Sequence, residues 1–252
     1  MGPSIFAAQE FIMRKLFLVF IILSASFASF AQETPEKKQF DLGKRAADHF
    51  MLQLGLSSWQ GAPDSISNYI SGLQRSANAY IMLDKPFKGN PRFSIGAGIG
   101  VGTTNIYFKK MIVDLGSNNA VLPFKAVDSA QNYKKFKLNT AYLEVPLELR
   151  FMKDPENTNK TIKAAIGLKI GTMIGAHTKG KTLRDGSDNV INNRTDKVQS
   201  KSYFNTTRLV GTARVGYGIL SLFGAYDLTS TFKSGVAADI KGLQIGLTIS
   251  GL

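Results

Sequence analysis

The chain contains no cysteine, two histidines (His49 and His177) and a single tryptophan among its 252 residues. The missing cysteines exclude a disulfide scaffold, a thiolate metal site and a lipid-modified cysteine behind a signal peptide. Two histidines leave little material for an imidazole metal cage. Charged side chains are scarce at 19%, where a quarter is usual, which excludes a charged coiled coil or an acidic disordered tail. Beyond the N-terminus no apolar run approaches the roughly 18 residues that a membrane-spanning helix needs. Present in excess are glycine, with 24 residues, and positive charge, at a net +13; hydrophobic residues, at 44%, suffice to bury a core. The mean hydropathy of -0.04 looks like that of a soluble protein, but it averages two residue sets whose order matters more.

The first thirty residues form an address. Met13, Arg14 and Lys15 make a basic start, residues 16–25 are apolar, and Ser29, Phe30 and Ala31 place small residues where a signal peptidase needs them. The expected signal peptide is residues 1–31, with Met13 as the natural start and cleavage after Ala31. Residues 32–48 form a leader whose acids and bases cancel, and residues 49–252 carry the folded domain.

That domain alternates with a period of two. From residue 140 to 151 one side reads Ala141, Leu143, Val145, Leu147, Leu149, Phe151, and the other Tyr142, Glu144, Pro146, Glu148, Arg150. A helix would scatter those carboxylates around its circumference, whereas a strand collects them on one face. Ile162, Ala164, Ile166, Leu168, Ile170 and Ile174 oppose Lys163, Gly167, Lys169, Gly171 and Gly175; Phe93, Ile95, Ala97, Ile99 and Val101 oppose Arg92, Ser94 and four alternate glycines. Leu243, Ile245, Leu247 and Ile249 repeat the pattern, and weaker cases bring the strand count to eight.

Several segments run ten residues or more, against a globular mode of about 5 to 6, and a bilayer-spanning strand needs about 9 to 11. In lipid every backbone group must be paired within the protein, so such a sheet closes on itself. Long polar links near residues 57–76, 109–137, 178–203 and 229–240 alternate with short ones at 88–91, 154–159 and around Gly218. The expected fold is therefore all-β: an eight-stranded antiparallel transmembrane β-barrel, an up-and-down meander with long extracellular loops, short periplasmic turns and both termini in the periplasm.

The run YLEVPLELRF at residues 142–151 resembles the central strand of the PorT-like outer-membrane β-barrel family of Bacteroidetes-type bacteria. YGILSLFGAYDLT at 217–229, followed by Phe232, Lys233 and a glycine-spaced last strand, is similar to that family's C-terminal hairpin, and the signal peptide ending in Phe-Ala-Gln fits as well. The likeness covers roughly residues 45–252. It implies an eight-stranded barrel in the bacterial outer membrane and, from the family's name-giving member, support of protein secretion; it supplies no catalytic motif. Leu252 departs from the aromatic C-terminus of many barrels.

Glu144 and Glu148 lie about 13 Å apart along one strand, too far for the paired carboxylates of glycoside hydrolysis. Together with Asp84, Arg92, Arg150, Lys163, Lys169, Arg208, Arg214 and Asp227 they are expected to form an ion-pair network inside the barrel, because an eight-stranded lumen is just wide enough for side chains to fill and buried charges must be paired. A narrow proton or ion path is the other use for the same residues. Six bases against four acids leave room for an anion or for loop carboxylates. The glycines at 96, 98, 100 and 102 lack the GxGxxG spacing and sit in a strand, so they make space rather than cradle a phosphate. Ser57 and Ser58 have no Gly-x-Ser-x-Gly elbow, and His49 and His177 fall on different strands. No enzyme, cofactor or metal is expected, an exported protease or acyltransferase being the enzymatic alternative.

The positive charge concentrates in two links. Residues 109–137 hold six lysines against Asp114 and Asp128, and residues 178–203 hold six bases against Asp185, Asp188 and Asp196. Exported barrels meet little nucleic acid, but lipopolysaccharide phosphates sit at the height of external loops, where lysines gain charge-assisted contacts. Lys109, Lys110, Lys134, Lys135, Lys137, Lys179, Lys181 and Lys201 are the expected contacts, a protein partner or plain solvation being the other uses for this charge. Tyr107, Phe108, Phe124, Tyr133, Phe136, Tyr203 and Phe204 are expected to form the interfacial aromatic girdle. The expected role is that of a monomeric, filled barrel serving a secretion or envelope-assembly partner; a narrow porin-like channel or a barrel binding small molecules or lipid is the alternative.

Overall fold

The computed structural model describes residues 49–127, 132–185, 187 and 189–250. The expected signal peptide (1–31) and leader (32–48), together with Asp128, Asp188 and Leu252, lie outside the described residues.

The alternating segments form strands β1 (Phe50–Gln60), β2 (Arg75–Pro86), β3 (Phe93–Phe108), β4 (Met111–Val113), β5 (Phe124–Ala126), β6 (Asn132–Met152), β7 (Ile162–Arg184), β8 (Val190–Gln199), β9 (Thr207–Tyr217), β10 (Leu220–Asp227) and β11 (Lys241–Ser250). Eight of them, β1, β2, β3, β6, β7, β9, β10 and β11, pair with their neighbours in chain order, each antiparallel. The ring closes where β1 meets β11, in register from Met51 opposite Ser250 to Gln60 opposite Lys241. β4 and β5 make a separate hairpin within the β3 to β6 connection, and β8 pairs with the outer half of β7. A short helix, α1 (Asp64–Ser67), lies in the β1 to β2 connection.

The sheet is inverted with respect to a soluble protein. Leu83, Ile81 and Ile166 are 68%, 62% and 66% exposed on the outer face, whereas Glu144 on the inner face is 0% exposed. On β6 the outward row from Ala141 to Phe151 is wholly apolar; ten steps along a tilted strand give a band about 25 Å tall, as a bilayer requires. Short connections (87–92, 153–161 and 218–219) gather at one end with the first and last described residues, and the long ones at the other. The long links are shorter than the sequence implies, because β6 and β7, with 21 and 23 residues, continue their ladder through residues 132–137 and 178–184.

Two local devices shape the lumen. Inward glycines on β3 admit large neighbours: a Cβ on Gly96 would stand 2.4 Å from the Arg150 Nε, and one on Gly100 would stand 2.1 Å from the Ala79 carbonyl oxygen and 2.5 Å from the Tyr80 ring. A bulge in the β6–β7 ladder follows the pairing of Ala141 with Gly175, since Tyr142 then faces Met173. The extra residue exchanges the two faces of β7. Below it Lys163, Lys169 and Met173 point inward; above it Ala176 and Thr178 do, and His177, Lys179 and Lys181 turn outward.

Candidate functional site

Every barrel strand contributes polar inward side chains, and they meet in two layers. In the lower layer Glu148 accepts from Arg150 Nε at 2.9 Å and from Arg214 Nη2 at 3.1 Å. Arg150 Nη1 lies 3.5 Å from Asp84 Oδ1, and Arg214 Nη1 donates to Ser250 Oγ at 3.4 Å. In the middle layer Glu144 is held by the Arg208 guanidinium, by the Tyr80 hydroxyl donating at 2.5 Å, and by Lys169 Nζ at 3.8 Å. Lys169 also donates to the Tyr80 oxygen at 3.0 Å. Arg208 reaches Asp227 at 3.9 Å and stacks its guanidinium carbon 4.1 Å above the Tyr142 ring, a cation-π contact. Asp227 accepts the Gly242 backbone N–H at 3.3 Å. Beside these charges Asn78 donates to Gln53 and Gln244, Gln53 to Thr248, and Gln244 to Thr104, at 3.2 to 3.3 Å. An excluded lumen makes each such bond electrostatically stronger than in water, and each missing partner correspondingly costly.

Lys163 is buried on the inner face of β7, opposite Gly216 and Met152. Arg92 is placed differently from the sequence-based expectation: it is exposed in the short turn before β3, since the strand and its inward alternation begin only at Phe93. Tyr80, which ties Glu144 to Lys169, was missed. Its signal was its place on the polar side of β2, between Asn78 and Asp84.

A third layer closes the outer mouth. Phe108, Phe136, Phe204 and Phe232, with Ile106, Leu138 and Ile240, are buried in one apolar cluster to which α1 adds Ile66 and the β4–β5 hairpin adds Met111 and Val113. Trp59 packs edge-on against Phe108 and Phe232 at 5.8 and 5.7 Å, and Phe204 lies 5.1 Å from Phe232. This corrects the expected girdle: Phe108, Phe136, Tyr203 and Phe204 fill the interior, and Phe124 and Tyr133 pack against the same cluster, instead of facing lipid. Phe108 and Phe136 stand directly opposite each other on the inward parity of β3 and β6, and residues 203–204 belong to a connection folded over the mouth. Phe50, Phe87, Phe93, Phe151 and Tyr217 face outward at the short-turn end, and Tyr107 and Tyr226 face outward nearer the long-loop end. Between the charged layers and the cap a cavity of about 20 Å³ is lined by Ser57, Thr104, Thr140, Arg208, Asp227 and Gln244, room for about one water molecule. No group of His, Cys, Asp and Glu with metal-holding geometry occurs among the described residues.

The lysines expected at lipid phosphates separate by position. Lys135, Lys137, Lys179 and Lys181 lie on the outer face of the β6–β7 ladder. Lys109, Lys110 and Lys134 border an adjacent cleft, and Lys201 sits apart in the turn after β8. The β7–β8 hairpin is pinned by acids outside the membrane. Asp196 accepts from the Tyr133 hydroxyl at 2.5 Å and from Arg194 at 2.8 Å, which holds its carboxyl below the usual range. Asp185 accepts the backbone N–H groups of Asn189 and Ser187 with the same result. Because these pKa values are depressed in the folded state, their contribution is complete above the unfolded value of about 3.9 and is lost as pH falls through the folded one. Amide exchange in β8 is expected to stay constant from pH 7 to about 4.5 after correction for the intrinsic rate. It should accelerate below that; acceleration already at pH 6 would show that other groups hold the hairpin.

No curated protein sequence matches the chain. A family profile described as an outer membrane protein beta-barrel domain matches residues 30–233, most of the chain, ending just before the strand that closes the ring. The inverted, closed sheet of eight strands with an apolar band of bilayer height fits that description. The chain belongs to the outer membrane β-barrel domain family, and its place is the outer membrane.

Proposed function

We propose that the protein is a non-conducting, non-catalytic barrel that anchors its outer loops and its N-terminal leader to the outer membrane, where they meet a protein partner of the secretion or envelope-assembly machinery. The likeness of residues 142–151 and 217–229 to the PorT-like branch supports the secretion reading. The observation that carries the proposal is the filling of the lumen: two layers of paired charges below, an aromatic cap above, and between them a space for about one water. Glu144, with no exposed surface, stands in the middle of this packing, which supports the non-conducting reading.

Planar-bilayer recording on the refolded chain is the direct test. The expected result is a membrane that stays at its baseline conductance. Reproducible single-channel steps would overturn the proposal and favour a narrow channel. Crosslinking in intact cells through the β4–β5 hairpin, followed by mass spectrometry, is expected to capture an envelope or secretion protein.

A further inference from the structure

The outer face of the β6–β7–β8 sheet carries an arrangement that a sheet does not favour by itself. Above the bulge, cross-strand register puts Lys137 directly opposite Lys179 and Lys179 directly opposite Lys197, with Lys135 opposite Lys181 in the next row. Directly opposite residues stand with Cβ atoms about 5 Å apart, and like charges there are destabilising. None of these five lysines is in an ion pair among the described residues. The nearest acid in the ladder, Asp196, pairs with Gly180 and so lies on the opposite face, where Tyr133 and Arg194 hold it.

The height of the patch narrows the choice of counter-charge. The apolar outward row of β6 ends at Ala141, and the next outward position, Asn139, lies opposite His177. Asn105 accepts from both Asn139 (3.1 Å) and Lys137 (2.6 Å), so a neutral polar collar separates the lysines from the hydrocarbon edge. Four to six residues beyond the last apolar position is within about 20 Å along a strand and less along the normal, which is the headgroup zone. On the β3 side a cleft of about 570 Å³ continues the positive surface with Arg75, Lys109, Lys110, Lys134, Lys135 and Arg184, and no acid lines it among the described residues.

We propose that this face binds the phosphate groups of an outer-leaflet glycolipid, with Lys135, Lys137, Lys179, Lys181 and Lys197 as the contacts. Each phosphate bridges lysines on adjacent strands through charge-assisted hydrogen bonds and removes the repulsion that the register imposes. Lys179 and Lys197 thereby join two strands that share no lipid-facing row below the bulge.

The test compares the mature chain with a K135Q/K137Q/K179Q/K181Q/K197Q variant, both refolded in neutral detergent and titrated with fluorescent lipopolysaccharide. The variant is expected to bind at least about tenfold more weakly. A K88Q/K153Q/K160Q control, neutralised at the short-turn end, should bind as wild type, and so should the five-residue Lys→Arg variant. With no lipid added, the Lys→Gln variant should melt at the same temperature as wild type or higher, since like-charge pairs have been removed; this separates lost binding from lost folding. Unchanged affinity in the Lys→Gln variant would overturn the proposal. So would equal binding of dephosphorylated lipopolysaccharide, or displacement of the glycolipid by an equimolar amount of inorganic pyrophosphate, which would make the site one for free anions.

Discussion

Glu144→Ala is expected to destabilise the barrel by about 3–5 kcal/mol, the largest loss from any single truncation of the lumen network. The carboxylate is 0% exposed and answers three groups at once: the Arg208 guanidinium, the Lys169 ammonium and the Tyr80 hydroxyl. Removing it leaves two cations facing each other across a space that holds little water, so the cost is that of stranding charge and not the small net worth of an ion pair. Urea titration of the chain folded into vesicles, read by heat-modifiable gel mobility and tryptophan emission, measures the loss. A second variant sharpens the interpretation. If stranded charge is the cause, Glu144→Ala combined with Arg208→Met and Lys169→Met should regain much of the stability, because a well-packed apolar replacement of a buried ion cluster is often neutral. A loss below about 1 kcal/mol for the single variant would mean that water reaches the site and that the layer is not sealed.

Gly100→Val is expected to cost about 3 kcal/mol or more, at the upper end of overpacking effects. The obstacle is backbone as well as side chain: the Ala79 carbonyl oxygen at 2.1 Å cannot leave without parting β2 from β3, and the Tyr80 ring at 2.5 Å cannot leave without releasing Glu144. The outward neighbour offers the comparison. Val101→Ile adds one methylene to a lipid-facing position that is 38% exposed and should leave stability within about 0.5 kcal/mol. Folding yield in vesicles and urea midpoints check both; equal midpoints for the two variants would sink the close-approach argument.

Much of the architecture was legible in residue order because a lipid-facing sheet has no freedom in its alternation. Leu143 to Phe151 against Glu144 to Arg150 leaves one face for lipid and one for the lumen, and the eight strands and their meander follow. The charged residues of the lumen were legible for the same reason, their parity opposing the apolar row. Arg92 was misplaced because alternation says nothing about where a strand begins. The aromatic cap was illegible for a different reason: Phe108 and Phe136 were grouped with Tyr107 and Tyr133 by height along the barrel, whereas face is decided by parity, and one step separates Tyr107 outside from Phe108 inside. Phe204, expected in the girdle, and Phe232 lie in connections whose path over the mouth depends on contacts between segments distant in sequence, which alternation does not reveal. Lys179 and Lys181 were expected at lipid phosphates as loop residues; that they reach that face from within a strand was out of reach. They share odd parity with Lys163 and Lys169, and uninterrupted alternation would send all four into the lumen.

The bulge at the pairing of Ala141 and Gly175 therefore acts as a change of reading frame within one strand. Below it a lysine at an odd position is a lumen base; above it the same spacing yields a surface base. Interior chemistry and surface chemistry are written on the same chain yet can be edited separately, with no new loop and no change in strand number. A deletion of Ile174 would cancel the shift, leave the lower half of the barrel as it is, and drive Lys179 and Lys181 toward the aromatic cap. One residue near the middle of β7 thus determines which side of the wall residues 175–181 face.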